Sequence, residues 1–198
     1  MLVVERMTRH PVTITGGATV EQALALIEDQ EIRHLPVVDG EGTLMGILSE
    51  KDLLRAPIEN RVEDVMTRDV ITITEYTPLE EGARIMADHK ISSLPVMRNG
   101  KLVGIITETN LFKLFLELLG ARERGLRLTM LVPEEKGMLA SVTGEIAAME
   151  GNILALSTFT GEDPTNRLVT VKVSDVPGEK LIAIMEALGM EIVDMREA

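Results

Sequence analysis

The chain has 198 residues and a net charge of −12, so its long-range field repels nucleic acid, whose binding starts with phosphate neutralisation. It contains no cysteine, which excludes disulfides, zinc–thiolate sites and thiol nucleophiles. Aromatic residues are 2% of the chain, against 45% hydrophobic residues in all, so the core is built from aliphatic side chains and Met, and ring stacking is not a main recognition device.

The N-terminal run Met1-Leu2-Val3-Val4-Glu5-Arg6 lacks the charged-then-apolar order of a secretory signal. No apolar run is long enough to cross a bilayer. The expectation is a soluble, cytoplasmic protein with no membrane partner. In chain order, Val12 to Thr15 reads as a short strand. Thr19 with Gln22 has capping-box spacing, and Val20, Ala23, Leu24 and Ile27 form one helical face. A strand through Leu35-Pro36-Val37, a turn at Asp39-Gly40-Glu41-Gly42 and a strand ending at Ser49 follow. A second helix begins after Ser49.

The order then repeats. Met7-Thr8-Arg9 aligns with Met66-Thr67-Arg68, Thr13-Ile14-Thr15 with Thr72-Ile73-Thr74, and Leu35-Pro36-Val37 with Leu94-Pro95-Val96. Gly46-Ile47-Leu48-Ser49-Glu50 meets Gly104-Ile105-Ile106-Thr107-Glu108 after a one-residue gap. Ile71 to Thr74 is the second copy's first strand. Thr77 and Glu80 have capping-box spacing, with Pro78 at the first helical position. Leu79, Ala83 and Met86 carry the apolar face, and Arg98-Asn99-Gly100 is the turn. Two copies are too few for a solenoid; they fold as one pseudo-symmetric module.

This repeat resembles a tandem CBS pair, or Bateman module, through its Met-Thr-Arg start, Thr-Ile strand, Leu-Pro-Val segment and Gly-apolar-apolar-Ser/Thr-x-x-Asp/Asn end. The resemblance implies two clefts for adenosine-containing ligands. The backbone at Thr13, Ile14 and Pro36 would line one adenine slot, and that at Thr72, Ile73 and Pro95 the other. Ser49 lies where a strand meets a helix N-terminus, which attracts phosphate, and Asp52 can accept from both ribose hydroxyls. Thr107 and Asn110 hold the equivalent positions, with Asn lacking the charge-assisted strength of Asp, so the Asp52 site is expected to be the tighter. Ser49 and Asp52 read equally as a structural N-cap with an acidic third residue. Arg33 and His34 precede Leu35, where the family places ligand-facing residues; Ser92 and Ser93 are their counterparts. Lys51, Arg55, Arg98 and Lys101 are further phosphate candidates or solvated surface; His10 and His89 read as surface residues.

A helix begins after Thr107, and Leu111 to Arg124 reads as helix with Leu111, Leu114, Phe115, Leu118 and Leu119 on one face, packing as core more readily than against a second subunit; Gly120 and Gly125 mark its end and the linker beyond. Beyond it, alternating Leu126, Leu128, Met130 and Val132 mark a strand, Met138 to Glu150 a helix and Ile153 to Thr160 a strand. A turn at Gly161-Glu162-Asp163-Pro164, a strand from Arg167 to Val173, a helix from Pro177 to Leu188 and a strand from Glu191 to Met195 complete a βαββαβ order of ferredoxin-like type. Gly137-Met138-Leu139 and Gly151-Asn152-Ile153 resemble an ACT domain. That resemblance implies an amino-acid site at Lys136, Gly137, Met138, Leu139, Asn152 and Ile153, or a structural role in dimerisation. The family's Asp-x-x-Pro-Gly loop is altered, because Glu134, Glu135 and Lys136 separate Pro133 from Gly137.

The fold class read from these elements is α+β: two βαββα CBS motifs (1–58 and 59–118), a helix end and linker (119–125) and an ACT-like βαββαβ domain (126–198). The whole resembles the acetoin-utilisation type of CBS–ACT regulatory protein. No nucleophile elbow, phosphate loop or dinucleotide fingerprint is present, and the three His have no metal-ligand spacing. The expectation is therefore a non-enzyme with no required cofactor and no metal. It would bind an adenine nucleotide or S-adenosylmethionine as regulatory ligand, form a homodimer and act on an unidentified regulated protein. An amino-acid sensor and a ligand-free dimerisation scaffold are the alternatives.

Overall fold

A computed structural model describes residues 1–161 and 163–197; Glu162, within the turn read at 161–164, lies outside the described residues. The chain divides into two compact units, Met1–Phe112 and Lys113–Ala198.

The first unit opens with a 3-10 turn at Val3–Glu5, then β1 (Thr8–Arg9), β2 (Ile14–Thr15), α1 (Val20–Asp29), β3 (His34–Val38), β4 (Leu44–Ser49), α2 (Glu50–Leu53) and α3 (Val62–Val65). The second repeat supplies β5 (Ile73–Thr74), α4 (Leu79–His89), β6 (Ser93–Arg98), β7 (Lys101–Thr107) and α5 (Glu108–Leu118). Thr19 and Gln22 close the expected capping box on α1. The first hairpin is held by Asp39, whose Oδ1 accepts the backbone N–H of Glu41 and Thr43 at 2.9 and 2.8 Å, an Asx turn. These bonds hold the Asp39 carboxyl below its usual range. Val20, Ala23 and Ile27 of α1 pack on Leu35, Val37, Leu48 and Leu53. Burying each large aliphatic contributes about 1.5–3 kcal/mol.

Three local expectations are corrected. The first strands shorten to Ile14–Thr15 and Ile73–Thr74. The Thr77/Glu80 capping box does not form, and Pro78 is the cap residue rather than the first helical one. Thr77 Oγ1 instead accepts the backbone N–H of Thr74 at 3.2 Å, because hydroxyls bond local backbone wherever a turn presents it. The helix read at Leu111–Arg124 runs from Glu108 to Leu118 and buries no residue completely, against the core expectation. It stops at Gly120, which has φ +59°; the N–H of Ala121 reaches Leu116 O and that of Gly120 reaches Glu117 O, the Schellman pattern.

The repeats are joined by an exchange of their leading segments. β1, from the first repeat, pairs antiparallel with β7 of the second. Thr67, from the second, bridges Ile47 on β4, with both backbone bonds at 2.9 Å. Two glycines permit this. A Cβ on Gly46 would stand 2.8 Å from Thr67 O and 2.5 Å from Met66 Sδ, and one on Gly104 would meet Met7 Sδ and Thr8 O. One sheet is thus β1-β7-β6-β5 and the other β2-β3-β4.

The second unit contains β8 (Leu126–Pro133), α6 (Met138–Ala148), β9 (Asn152–Thr160), β10 (Asn166–Ser174), α7 (Gly178–Ala187) and β11 (Glu191–Glu197). Its antiparallel sheet has the order β11-β8-β10-β9, a ferredoxin-like arrangement. Leu128, Met130, Val169, Val171 and Val173 face Val142 and Ile146 of α6 and Leu181 and Met185 of α7. Alternation puts Thr129, Thr170 and Lys172 on the other face, where the Thr hydroxyls lie 3.0 Å apart and buried Lys172 donates Nζ–H to Gly120 O at 3.0 Å.

Candidate functional site

The site is built where β4 runs into α2. Ser49 is the N-cap: its Oγ accepts the Asp52 N–H at 3.3 Å and donates to Asp52 Oδ2 at 2.6 Å, while the Ser49 N–H reaches the same oxygen at 2.9 Å. The structural reading of Ser49-x-x-Asp52 therefore holds in full, and the carboxylate is fixed beside the strand end. In the second repeat Asn110 Oδ1 accepts from Thr107 N at 2.9 Å and from Thr107 Oγ1 at 2.7 Å. The two constellations match atom for atom except for the charge.

Around Ser49 and Asp52 opens a cavity of about 260 Å³. The first repeat contributes His34, Ile47, Leu48, Ser49 and Asp52. The second contributes its leading segment, through Thr67, Asp69, Val70 and Ile71, and the turn after α4, through Lys90, Ile91, Ser92 and Ser93. Each repeat makes one half of the wall. His34 Nε2 lies 2.7 Å from Ser92 Oγ, a side-chain hydrogen bond directly across the two repeats. Burial pushes the His34 imidazole below the usual histidine value; Arg33 acts in the same sense, and Glu108 and Asp52 oppose it.

Of the residues singled out in the sequence, His34, Ser49, Asp52, Ser92 and Ser93 come together here. Thr13 and Ile14 do not line this cavity: Ile14 pairs with Val37, on the far side of β3 from β4. The segment exchange is the reason, since it delivers Val70 and Ile71 in their place. Thr72 and Ile73 follow directly, with Ile73 buried beside β6. Pro36 and Pro95 are buried opposite Ile47 and Ile105. Arg33 is exposed; Thr107 ends β7, the strand that receives Thr8 and Arg9, and Asn110 lies in the first turn of α5. Arg98 pairs with Glu75 at 3.4 Å, while Lys51, Arg55 and Lys101 are exposed. Sequence reasoning missed Thr67, Asp69, Lys90 and Ile91. The available signal was the glycine inside each last strand, Gly46 and Gly104, because an isolated strand glycine marks close backbone approach.

In the second unit a cavity of about 320 Å³ lies at the β8–α6 loop, lined by Glu134, Glu135, Gly137, Met138, Leu139 and Arg167 among others. Arg167 Nε donates to Glu134 Oε2 at 2.6 Å, both residues lining this cavity. Lys136, Asn152 and Ile153 are not among its lining residues. No group of His, Cys, Asp or Glu suited to a metal ion occurs among the described residues, and none of their helices is long and apolar enough to cross a membrane.

A family model described as the CBS domain matches residues 3–59 and 62–117. An L-aspartate semialdehyde sulfurtransferase of Methanocaldococcus jannaschii is 33% identical over 117 residues, covering 58% of this chain and 23% of that protein. An inosine-5'-monophosphate dehydrogenase of Nitrosopumilus maritimus is 36% identical over 106 residues, covering 53% of this chain and 22% of that one. The chain thus spans less than a quarter of the length of these curated relatives. Among solved structures, a Vibrio cholerae chain provisionally called an acetoin utilization protein (AcuB) superposes with TM-score 0.58 at 38% identity, over 62% of this chain and 96% of that one. A CBS domain pair in complex with 5'-methylthioadenosine and S-adenosyl-L-methionine gives TM-score 0.56 at 32% identity, over 58% and 95%. CBSX2 in complex with AMP gives 0.54 at 30%, over 58% and 96%.

Proposed function

The chain belongs to the CBS-domain family, and from that premise we propose that it is a regulatory, non-catalytic protein that senses an adenosine-type ligand in the clefts between its repeats. The carrying observation is the cavity in which Ser49 and Asp52 of one repeat meet residues 67–71 and Ser92–Ser93 of the other. Asp52 spends Oδ2 on its cap, leaving Oδ1 to accept a ribose hydroxyl. Polar backbone at 69–71 meets the adenine edge. Thr13, Ile14, Arg33, Pro36, Thr72, Ile73, Pro95, Thr107 and Asn110 are assigned to the paired clefts as a whole. The Asp52 cleft is the tighter of the two. Relatives crystallised with 5'-methylthioadenosine, S-adenosylmethionine and AMP support the ligand class.

Because both repeats wall the cavity, a bound ligand ties them together and biases their arrangement, the requirement for passing a signal to a partner. The division into motifs 1–58 and 59–118, a linker 119–125 and an ACT-like domain 126–198 is part of this reading, as are a homodimer and a cytoplasmic setting. A second reading, amino-acid sensing through the ACT-like unit, is favoured by the cavity beside Gly137, Met138 and Leu139. Thermal unfolding of the purified chain with adenosine compounds and with amino acids separates the two, since a ligand of the folded state raises Tm. A Tm rise with adenosine compounds that vanishes in Asp52→Ala supports the sensor. A rise with amino acids alone moves the function to the second unit.

A further inference from the structure

The charge of the Ser49–Asp52 cavity separates one kind of adenosine compound from another. Helix N-termini attract phosphate through free N–H groups and the positive end of the dipole. Here the N–H groups of Ser49, Glu50 and Asp52 are already taken. The Asp52 N–H is taken by Ser49 Oγ, the Ser49 N–H by Asp52 itself, and Glu50 adds a second carboxylate to the first turn. Asp69 brings another carboxylate to the wall from the facing segment, and among the described lining residues the only Lys or Arg is Lys90. Among these described residues no guanidinium is present to grip a phosphate in bidentate fashion. The four-residue helix α2 also carries Lys51, and Arg55 follows it, but both are exposed and off the wall. His34, the remaining basic group, is half-buried, bonded to Ser92 and held toward its neutral form by burial. The cavity is therefore net acidic, within a chain that is itself strongly acidic.

We propose that this cleft selects adenosine compounds whose 5' substituent is uncharged or cationic, a thioether or sulfonium nucleoside, over those that carry phosphates. The inference rests on the adenosine reading of the cleft and adds its specificity. A sulfonium in this cavity is attracted by the carboxylates of Asp52 and Asp69, whereas each phosphate charge meets two carboxylates against the single cation of Lys90. Asp69 is exposed, so its replacement changes the charge of the wall without opening the core.

Titration calorimetry of the full chain with adenosine, 5'-methylthioadenosine, S-adenosylmethionine, AMP and ATP tests this. The expected result is that the thioether and sulfonium compounds bind at least about tenfold more tightly than AMP or ATP, and that Asp69→Asn narrows the gap by weakening the sulfonium compound and strengthening ATP. AMP or ATP binding as tightly as S-adenosylmethionine, with adenosine also bound, overturns the selectivity and leaves the adenosine reading standing. A gap unchanged in Asp69→Asn overturns the role of the acidic wall. Failure of all five compounds to bind overturns both.

Discussion

Asp52→Asn isolates the charge of the acceptor from its structural duty. In the native protein the carboxylate receives two bonds from Ser49, at 2.9 Å from N and 2.6 Å from Oγ. The second repeat already shows what an amide does there: Asn110 receives the same pair from Thr107 at 2.9 and 2.7 Å. The cap thus survives, and stability changes by less than about 0.5 kcal/mol. Asp52→Ala loses the cap carboxylate and costs about 1 kcal/mol. A ribose hydroxyl donating to a carboxylate is worth about 1.5–3 kcal/mol, against about 0.5–1.5 kcal/mol to a neutral oxygen. Asp52→Asn is therefore expected to weaken an adenosine compound by about 1–1.5 kcal/mol, or roughly tenfold in Kd. Thermal unfolding and calorimetry on native, Asn and Ala forms give both quantities. Unchanged affinity in Asp52→Asn refutes the ribose role. A stability loss equal to that of the Ala variant refutes the equivalence with Asn110.

The converse change, Asn110→Asp, keeps the Thr107 bonds and adds a charged acceptor, so its calorimetric titration is expected to show stronger binding at a second site. Gly46→Ala sets a Cβ 2.8 Å from Thr67 O; it is expected to cost about 1–3 kcal/mol in denaturant unfolding and to lower ligand affinity, because residues 67–71 must back away from the cavity. Burial depresses the His34 imidazole, so the folded chain holds fewer protons than the unfolded one just below the ordinary histidine pKa of about 6.5. Stability is then full above that pH and falls as pH drops toward the depressed value, a slope measurable as Tm against pH that His34→Gln reduces. Gly120→Ala places a side chain at φ +59°, 3.2 Å from Ala155 Cβ; a loss of about 1 kcal/mol or more is expected by denaturation.

What was legible in advance was local. The Thr19–Gln22 box, the hairpin turn at 39–42 and the Ser49–Asp52 cap each involve residues within four positions of one another, and their bonds follow from residue type and spacing. The Thr77 cap failed on the same scale, since two backbone partners competed for one hydroxyl and the turn at Thr74 won. The start of the helix after Thr107 and the stop at Gly120 follow from residue type, whereas the apolar pattern continues to Arg124, because periodicity does not register the left-handed conformation that Gly120 adopts. The α5 face looked like core by pattern, yet a pattern states only that apolar groups are aligned, not that anything covers them.

The sequence by itself determined the repeat, the α+β elements and the chemistry at the end of each last strand, because these follow from periodicity, capping and turn preferences over short distances. Only the tertiary structure decided which residues share a cavity. The exchange that carries Thr67–Ile71 to Asp52, and the bond from His34 to Ser92 across 58 positions, arise from strand pairing between repeats. Either repeat could in principle have paired with its own leading segment, and nothing local in the sequence distinguishes the two. In the exchanged arrangement the leading segments approach over Gly46 and Gly104, with Met7 and Met66 buried against these glycines, contacts that exist only once both repeats are packed together.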